Sequence, residues 1–375
     1  MGIAGKVTPG GVEWTGDLHD LYAANLHLRT ASRVLVRVAR FRARSFIEME
    51  RHVRRIDWAP FNPVDSGGSI GLHVSSRKSR LYHERAIAER FERMIGDQLG
   101  APVAALPVGD DEKDADAEEG DQLFVVRFVR DECTVSADTS GELLHRRGYR
   151  RAVAKAPLRE NLAAAMLIAA GWTSGAPLID PFCGSGTIPI EGALLARRIP
   201  PGLASVDRIP RRYAFERWPG FRADLWGDIV AAAVEEILEE VNVQIVGADR
   251  DAGAIEAAMS NAERAGVGAD LTFLVRPISA SERLTGENGW LLTNPPYGHR
   301  LGEAMPLRDL YATLGRMARE RLAGWTIGLL AADDGLARHT GLAFQSVLAT
   351  RNGGIPVRLL LHRGVRSRTE GSGVV

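Results

Sequence analysis

The sequence predicts an α/β protein: a C-terminal parallel sheet with helices on both faces, preceded by smaller α+β units. Three observations predict it. From Pro177 onward, short apolar runs alternate with helical patterns, the signature of a parallel sheet. Two of those runs end in an acid that leads into a helix, Leu178-Ile179-Asp180 and Val246-Gly247-Ala248-Asp249. A third, Leu291-Leu292-Thr293-Asn294-Pro295-Pro296-Tyr297-Gly298, ends in an amide, two prolines and an aromatic ring. Prolines stop a strand abruptly, so Asn294 and Tyr297 belong on a rigid turn at its carboxyl end, where open α/β sheets bind ligands.

Composition bounds the possibilities. With 375 residues there is room for two or three domains. The 47 Lys plus Arg balance the 47 Asp plus Glu, so any nucleic-acid contact must rest on local charge. Cys133 and Cys183 are far apart, which argues against a disulfide scaffold or a zinc site and fits a reducing compartment. No uncharged apolar run approaches the ~18 residues of a membrane span, and residues 1–11 lack a secretory pattern. A soluble cytoplasmic protein without a metal or a membrane partner is expected, with a monomer as its form.

The N-terminal half begins with a small hairpin, Val7-Thr8 and Val12–Trp14 flanking Pro9-Gly10-Gly11. Asp17 can cap a helix from Leu18 to about Arg29. Partial alternation makes Ser32–Phe41 a strand, and a helix follows around Ser45–Ile56. A second unit starts near Asn62-Pro63-Val64, with a strand over Ser69–Val74 and a helix over Leu81–Leu99 that shares Ile87, Phe91, Met94 and Ile95 on one face. Residues 109–121 hold eight acids and one Lys, a solvated loop. Leu123–Val129 and Glu132–Ala137 read as a hairpin turning at Arg130-Asp131. Residues 143–159 are basic without an acid, a helix spans Glu160–Ala170, and the domain boundary falls near residue 150.

The C-terminal half is expected to hold strands at Leu178–Asp180, Val243–Ala248, Leu271–Val275, Trp290–Thr293, Thr326–Ala331, Ala343–Ala349 and Pro356–His362. Its helices are Gly186–Arg197, about Phe221–Glu239, Ala252–Ala265, Leu307–Leu322 and a short one near Asp334. Residues 198–220 read as an insertion.

Asp180-Pro181-Phe182-Cys183-Gly184-Ser185-Gly186-Thr187 is a strand-end acid followed by a glycine-rich loop that opens a helix. Neither the dinucleotide spacing nor a phosphate loop is met, because Pro189 follows Gly184-x-Gly186 and no Gly-Lys-Ser/Thr occurs. An acid directly before the loop suits a ligand with hydroxyls and an ammonium group, such as S-adenosylmethionine. Asp249 stands where a ribose-binding acid belongs, and Asp249 or Asp251 can also cap the helix that follows. These two motifs together with Asn-Pro-Pro-Tyr resemble a class I S-adenosylmethionine-dependent methyltransferase acting on an amino group conjugated to a ring. Such an amine is a poor nucleophile. Acceptors at Asn294 Oδ1 and the Pro295 carbonyl would let its nitrogen pyramidalise, and Tyr297 would stack on the base.

The runs Ser140–Arg150, Ala156-Pro157-Leu158-Arg159-Glu160, Asp180–Glu191 and Asn294–Gly298 closely resemble the THUMP-domain RNA guanine-N2 methyltransferases, which include 23S rRNA and tRNA enzymes. The resemblance covers about Trp14 to Arg358. It implies a ferredoxin-like part at 1–60, a THUMP-type RNA-binding domain at 61–140, a basic linker and helix at 141–172, and a Rossmann-like methyltransferase domain at 173–375. It implies S-adenosyl-L-methionine as cofactor, held by Pro157, Asp180, Phe182, Gly184, Gly186, Thr187, Asp249, Arg250 and Asn294. It places Asn294, Pro295 and Tyr297 at the target base. Glu191 matches a family acid.

Two departures stand out. A strand and helix that often open the family are missing before Val7, so the first unit is incomplete or the start is late. Where the family often has an adenine-contacting Asp, this chain has Arg276-Pro277-Ile278-Ser279, leaving that contact to backbone or Ser279.

Candidate RNA contacts are Arg77, Lys78, Arg146, Arg147, Arg150, Arg151, Lys155 and Arg300, since phosphates call for such basic stripes. Residues 29–55 add nine arginines against two acids; that stripe is equally a solvated face. His83, His145 and His299 lack metal-like spacing, and Cys183 reads as small-residue packing. Within the resemblance 23S rRNA leads tRNA as substrate. The rivals are a DNA amino-methyltransferase and a non-catalytic RNA-binding assembly factor.

Overall fold

The computed structural model describes residues 4–8, 10–63, 70–100, 103–105, 122–150, 158–280, 288–297 and 304–364. The acidic stretch 109–121 lies outside them. The chain forms two compact units. One comprises Met1–Leu144 and Pro210–Ala232; the other comprises His145–Ile209 and Ala233–Val375.

The first unit contains β1 (Lys6–Thr8), β2 (Gly11–Glu13), α1 (Leu18–His27), β3 (Leu35–Arg42), α2 (Phe46–Val53), β4 (Ile70–Arg77), α3 (Glu84–Leu99), β5 (Val103–Ala105), β6 (Gln122–Val129) and β7 (Glu132–Asp138). A capping box between Asp17 and Asp20 starts α1, and Ser45 caps α2 through the Glu48 amide. β5 has no counterpart in the sequence reading, because three residues are too few to show a period. The sheet order is β3-β7-β6-β4-β5, antiparallel through β3, β7 and β6 and parallel from β6 to β5. Its inward positions are apolar: Leu72, Val74, Phe124, Val126, Phe128, Cys133 and Val135 are buried.

Residues 210–232 fold with this unit. Phe215 stacks on Tyr22 at 4.5 Å between ring centroids, Trp226 meets Tyr22 edge-on at 6.0 Å, and Tyr213 lies 5.3 Å from Phe215. The Trp218 indole donates to Gln122 Oε1 at 2.6 Å, and the Tyr213 hydroxyl donates to the Asn25 carbonyl at 3.2 Å.

The second unit contains α4 (Glu160–Ala170), β8 (Leu178–Asp180), α5 (Thr187–Ala196), the end of α6 (Ala223–Glu235), β9 (Ile245–Asp249), α7 (Ala252–Arg264), β10 (Thr272–Val275), β11 (Trp290–Thr293), α8 (Ala304–Arg321), β12 (Thr326–Ala331), α9 (Asp334–Arg338), β13 (Gln345–Asn352) and β14 (Ile355–Arg363). The seven strands are ordered β10-β9-β8-β11-β12-β14-β13. β10 through β12 are parallel, and β14 and β13 close the edge antiparallel. This is the expected Rossmann-like α/β sheet. The helix expected to run to Glu239 stops at Glu235. Glu235, Glu236, Glu239 and Glu240 would crowd its negative C-terminal pole, and the Leu238 amide turns instead to the Arg197 carbonyl at 3.0 Å.

Strand order fixes where a site can form. β8 is followed in sequence by β9 on one side, while β11 lies on its other side, so the order reverses between β8 and β11. Ligands of open α/β sheets bind at that switch, outside the carboxyl ends. Asp180 ends β8 and Thr293 ends β11.

Candidate active site

Asp180 is buried, and its Oδ1 accepts from Thr293 Oγ1 at 2.5 Å and from the Phe182 amide at 3.1 Å. The hydroxyl one residue before Asn294 therefore ties β11 to β8. Burial pushes the Asp180 carboxyl up to about 7, and Asp249 adds to the rise, while the Thr293 and Phe182 bonds oppose it.

The glycine loop is built around Asp249. Its Oδ2 accepts from the Gly184 amide at 3.1 Å, and its Oδ1 accepts from the Asp251 amide at 3.0 Å. Capping of α7 falls to Asp251, whose carboxylate takes the Gly253 and Ala254 amides. Asp251 therefore takes the cap, while Asp249 ties the glycine loop to β9. Gly184 and Gly186 have φ of 51° and 85°, conformations that favour glycine. A Cβ on Gly186 would meet Ala258 at 3.0 Å, whereas one on Gly184 would meet nothing within 4 Å. Gly184 thus offers bare backbone to open space. Gly247 is glycine because a Cβ there would stand 2.6 Å from Phe273 and 3.1 Å from Cys183 Sγ. Burial, then Asp180 and Asp249, raise the Cys183 thiol, which suits packing rather than attack. Phe182 is half-buried, Thr187 is buried and Arg250 is exposed.

Asn294 and Tyr297 are half-buried, and Pro295 is buried. The Tyr297 hydroxyl donates to Asn294 Oδ1. Burial raises the Tyr297 phenol. Tyr311 of α8 donates to the Pro296 carbonyl at 3.4 Å, so the turn is anchored to a buried helix face. Ser279 is exposed on a short helical turn, Ile278–Ala280, and the Arg276 amide donates to the Asp249 carbonyl at 2.7 Å.

The basic run before α4 is used internally to a degree that sequence did not indicate. Arg147 and Glu191 have side chains 1% and 0% exposed, and Arg147 Nε donates to Glu191 Oε1 at 3.4 Å. The Tyr149 hydroxyl reaches the same oxygen at 3.3 Å. Arg150 Nη2 donates to Thr187 Oγ1 at 2.8 Å and the Leu158 carbonyl at 2.7 Å, and pairs with Glu160 at 3.4 Å. His145 is buried, and burial with Arg159, Arg146, Arg147 and Arg150 nearby pulls its imidazole down to about 3. Arg146 is exposed. In the first unit Arg77 and Lys78 are exposed. Pro157, Arg151, Lys155 and Arg300 lie outside the described residues, as do Gly298 and His299.

Sequence reasoning missed two supports in α7. Asn261 Nδ2 donates to the Ser185 carbonyl at 3.0 Å, and Arg264 Nε donates to the Tyr149 carbonyl at 2.7 Å while its Nη2 holds Asn261 Oδ1. A buried Asn on an apolar helix face was the available signal. A cavity of about 710 Å³ lies against β8, β9 and β10, lined by Ile179, Val246, Ala248 and Leu274; Asn294, Asp180, Gly184 and Asp249 do not line it.

Comparison with known proteins covers the stretch that holds these motifs. The model of the RMKL-like, methyltransferase domain matches residues 147–359, and that of the RlmL ferredoxin-like domain matches residues 1–35. The chain is 36% identical over 365 residues to the ribosomal RNA large subunit methyltransferase K/L of Syntrophotalea carbinolica, covering 94% of itself and 49% of that protein. It is 32% identical over 351 residues to the Synechocystis protein named "Putative RNA methyltransferase slr0064", covering 93% and 88%. The chain thus spans about half the length of the K/L relatives it matches. Among solved structures, SMU.472 complexed with SAH superposes with a TM-score of 0.83 at 29% identity, covering 97% of this chain and 93% of that one. From its glycine loop to its last strands, the chain belongs to the RMKL-like methyltransferase domain family.

Proposed function

We propose that this chain is an S-adenosylmethionine-dependent RNA methyltransferase that forms N2-methylguanine in 23S ribosomal RNA. The observation that carries the reading is the switch-point pair, Asn294 set beside Asp180 through the Thr293 hydroxyl. The names of the K/L and Synechocystis relatives support RNA, and the K/L names support the large ribosomal subunit. Guanine N2 rests on the motif resemblance; the turn itself would serve adenine N6 or cytosine N4 equally.

The residues present fit the cofactor. Gly184 leaves open space at its backbone, Asp249 is a partly exposed carboxylate, and Asp180 is a buried acid able to meet an ammonium. Asp180, Phe182, Gly184, Gly186, Thr187 and Asp249 would hold it, with Arg250 and Asn294 at its margins, and the motif resemblance adds Pro157. When bound it supplies a methyl group activated on a sulfonium.

The chain's own work is to position the amine. Asn294 Oδ1 and the Pro295 carbonyl accept its two N–H groups, freeing the nitrogen lone pair from the ring. The Tyr297 hydroxyl holds that acceptor oxygen in this structure, so an incoming amine takes its place and the ring turns to the base. No strong base is required, because the proton leaves after transfer. Among the described residues Arg146, Arg77 and Lys78 are the phosphate contacts, and the basic runs in the sequence add Arg151, Lys155 and Arg300; Arg147 and Arg150 instead hold Glu191, Glu160 and Thr187 in place. Residues 1–60 and 61–140 serve as ferredoxin-like and THUMP-type RNA-holding parts.

Asn294→Ala should lower transfer roughly 100- to 1,000-fold or more while leaving affinity for S-adenosylhomocysteine nearly unchanged. Equal loss of both would make the turn structural. Mass spectrometry of nucleosides from separated rRNA and tRNA, with and without the gene, assigns the substrate. N2-methylguanine lost from tRNA alone overturns the 23S assignment.

A further inference from the structure

One end of the first unit's sheet gathers three loops. β4 ends at Arg77 and leads through residues 78–83 into α3, β6 and β7 turn at Arg130-Asp131, and β3 ends at Arg42. Register places them side by side: Arg77 pairs with Val129, Val129 with Glu132, and Glu132 with Arg42.

The backbone here turns tightly. Lys78, Arg130 and Asp131 have φ of 50°, 53° and 67°, three of the five non-glycine residues with positive φ among the described residues. Arg130 and Asp131 are the two central residues of the β6–β7 hairpin turn, whose type I′ geometry takes positive φ at both. The determinants are visible. Asp131 Oδ1 accepts from the Arg80 amide at 2.8 Å, and the Asp131 amide donates to Ser79 Oγ at 3.0 Å. The Arg130 amide donates to the Arg77 carbonyl at 3.1 Å, and the Ala43 amide to the Asp131 carbonyl at 3.0 Å. Ser76 Oγ donates to the Leu81 carbonyl at 2.6 Å, while the Ser76 amide donates to Glu84 Oε1 at 2.7 Å. The nearby acids Asp131 and Glu84 are thus engaged by backbone amides.

What remains outward is basic and aromatic. Arg42, Arg77, Lys78, Arg80 and Arg130 are exposed and pair with no acid among the described residues. Arg44 and Arg40 pair with Asp131 and Glu132 behind them. Tyr82 is 65% exposed, its ring 4.0 Å from the exposed His83 ring. An exposed ring in a loop of guanidinium and ammonium groups fits a strand with unpaired bases, which offer a π face to the ring and phosphates to the cations. A duplex offers the phosphates but keeps its base faces stacked inside.

We infer that this loop cluster is a platform for single-stranded RNA, with Tyr82 stacking an unpaired base and Arg77, Lys78, Arg80 and Arg130 holding the flanking phosphates. It rests on the reading of the chain as an RNA methyltransferase and adds to it the form of RNA that is gripped.

Fluorescence anisotropy on the full chain tests it, with an unstructured RNA oligonucleotide and a blunt-ended two-strand RNA duplex as probes. Tyr82→Ala should weaken single-strand binding about tenfold or more and leave duplex binding unchanged, and Tyr82→Phe should restore it. Lys78→Glu with Arg80→Glu should weaken both probes. Tyr82 is largely outside the core, so an unchanged melting temperature is expected for its variants. Single-strand binding of Tyr82→Ala equal to that of the parent overturns the platform, as does an equal loss on both probes. Indifference of both probes to every loop variant would remove RNA as the occupant of the patch. A Tyr82 effect without Asn294-dependent transfer leaves the platform standing and removes the enzyme reading; transfer without a Tyr82 effect does the reverse.

Discussion

Asp180 is a carboxylic acid placed where its charge is costly until a ligand arrives. Its pKa of about 7 stands above the unfolded value of roughly 3.9. A raised carboxyl contributes stability that is full below the unfolded pKa and is lost as pH rises through about 7. Binding of a cationic cofactor runs the other way, because only the ionised carboxylate attracts an ammonium. Affinity for S-adenosylmethionine should therefore tighten about fivefold as pH rises from about 6 to about 7, and level off above. Asp180→Asn should bind more weakly and without that slope. Calorimetric titration across this range measures both, and a flat affinity in the parent chain would show that Asp180 does not face the ligand's charge. Much of this site was legible from local patterns. A strand that ends in an acid, a glycine pair and a proline-stopped turn each signal themselves within a few residues. The bond from Thr293 to Asp180 spans 113 positions and needs the strand order, which no local pattern contains.

At the scale of elements, charge in sequence was an incomplete guide to charge in the fold. Residues 143–159 read as one basic stripe, yet Arg147 and Arg150 turn inward onto Glu191 of α5 and Glu160 of α4. Their partners are separated from them by helical and loop segments, so only packing reveals the pairs. The stripe at 29–55 divides similarly: Arg33 is buried on Asp138, and Arg37 and Arg40 pair with Glu13 and Glu132. A buried ion pair stabilises little relative to an apolar replacement, but breaking it leaves a buried charge without its partner. Glu191→Ala should cost about 3–5 kcal/mol. Glu191→Gln should cost less, since an amide oxygen still accepts from Arg147 and Tyr149. Urea denaturation of the two variants checks the order. Equal and small losses would mean that water reaches the pair and that α5 does not depend on it.

The whole chain is interlaced rather than divided once. Helix and strand periods made the elements readable, and a boundary near residue 150 follows from the change of rhythm. Membership of Pro210–Ala232 in the first unit follows from neither, because it depends on aromatic rings meeting across nearly 200 residues. This has a consequence for cutting the chain. A fragment of residues 145–375 keeps Tyr213, Phe215, Phe221 and Trp226 but lacks Tyr22, which three of them contact as ring neighbours. It also strands Trp218, whose indole donates to Gln122. Each ring left bare forfeits about 1.5–3 kcal/mol of burial, and together they form an apolar patch large enough to associate. The fragment should therefore elute as an aggregate or bind an apolar dye far more strongly than the full chain, even though it contains the entire seven-stranded sheet. Size-exclusion chromatography with dye fluorescence makes the comparison. A monomeric fragment with a cooperative melt and no dye binding would show that residues 210–232 can fold without the first unit, and that the aromatic cluster is dispensable to the second.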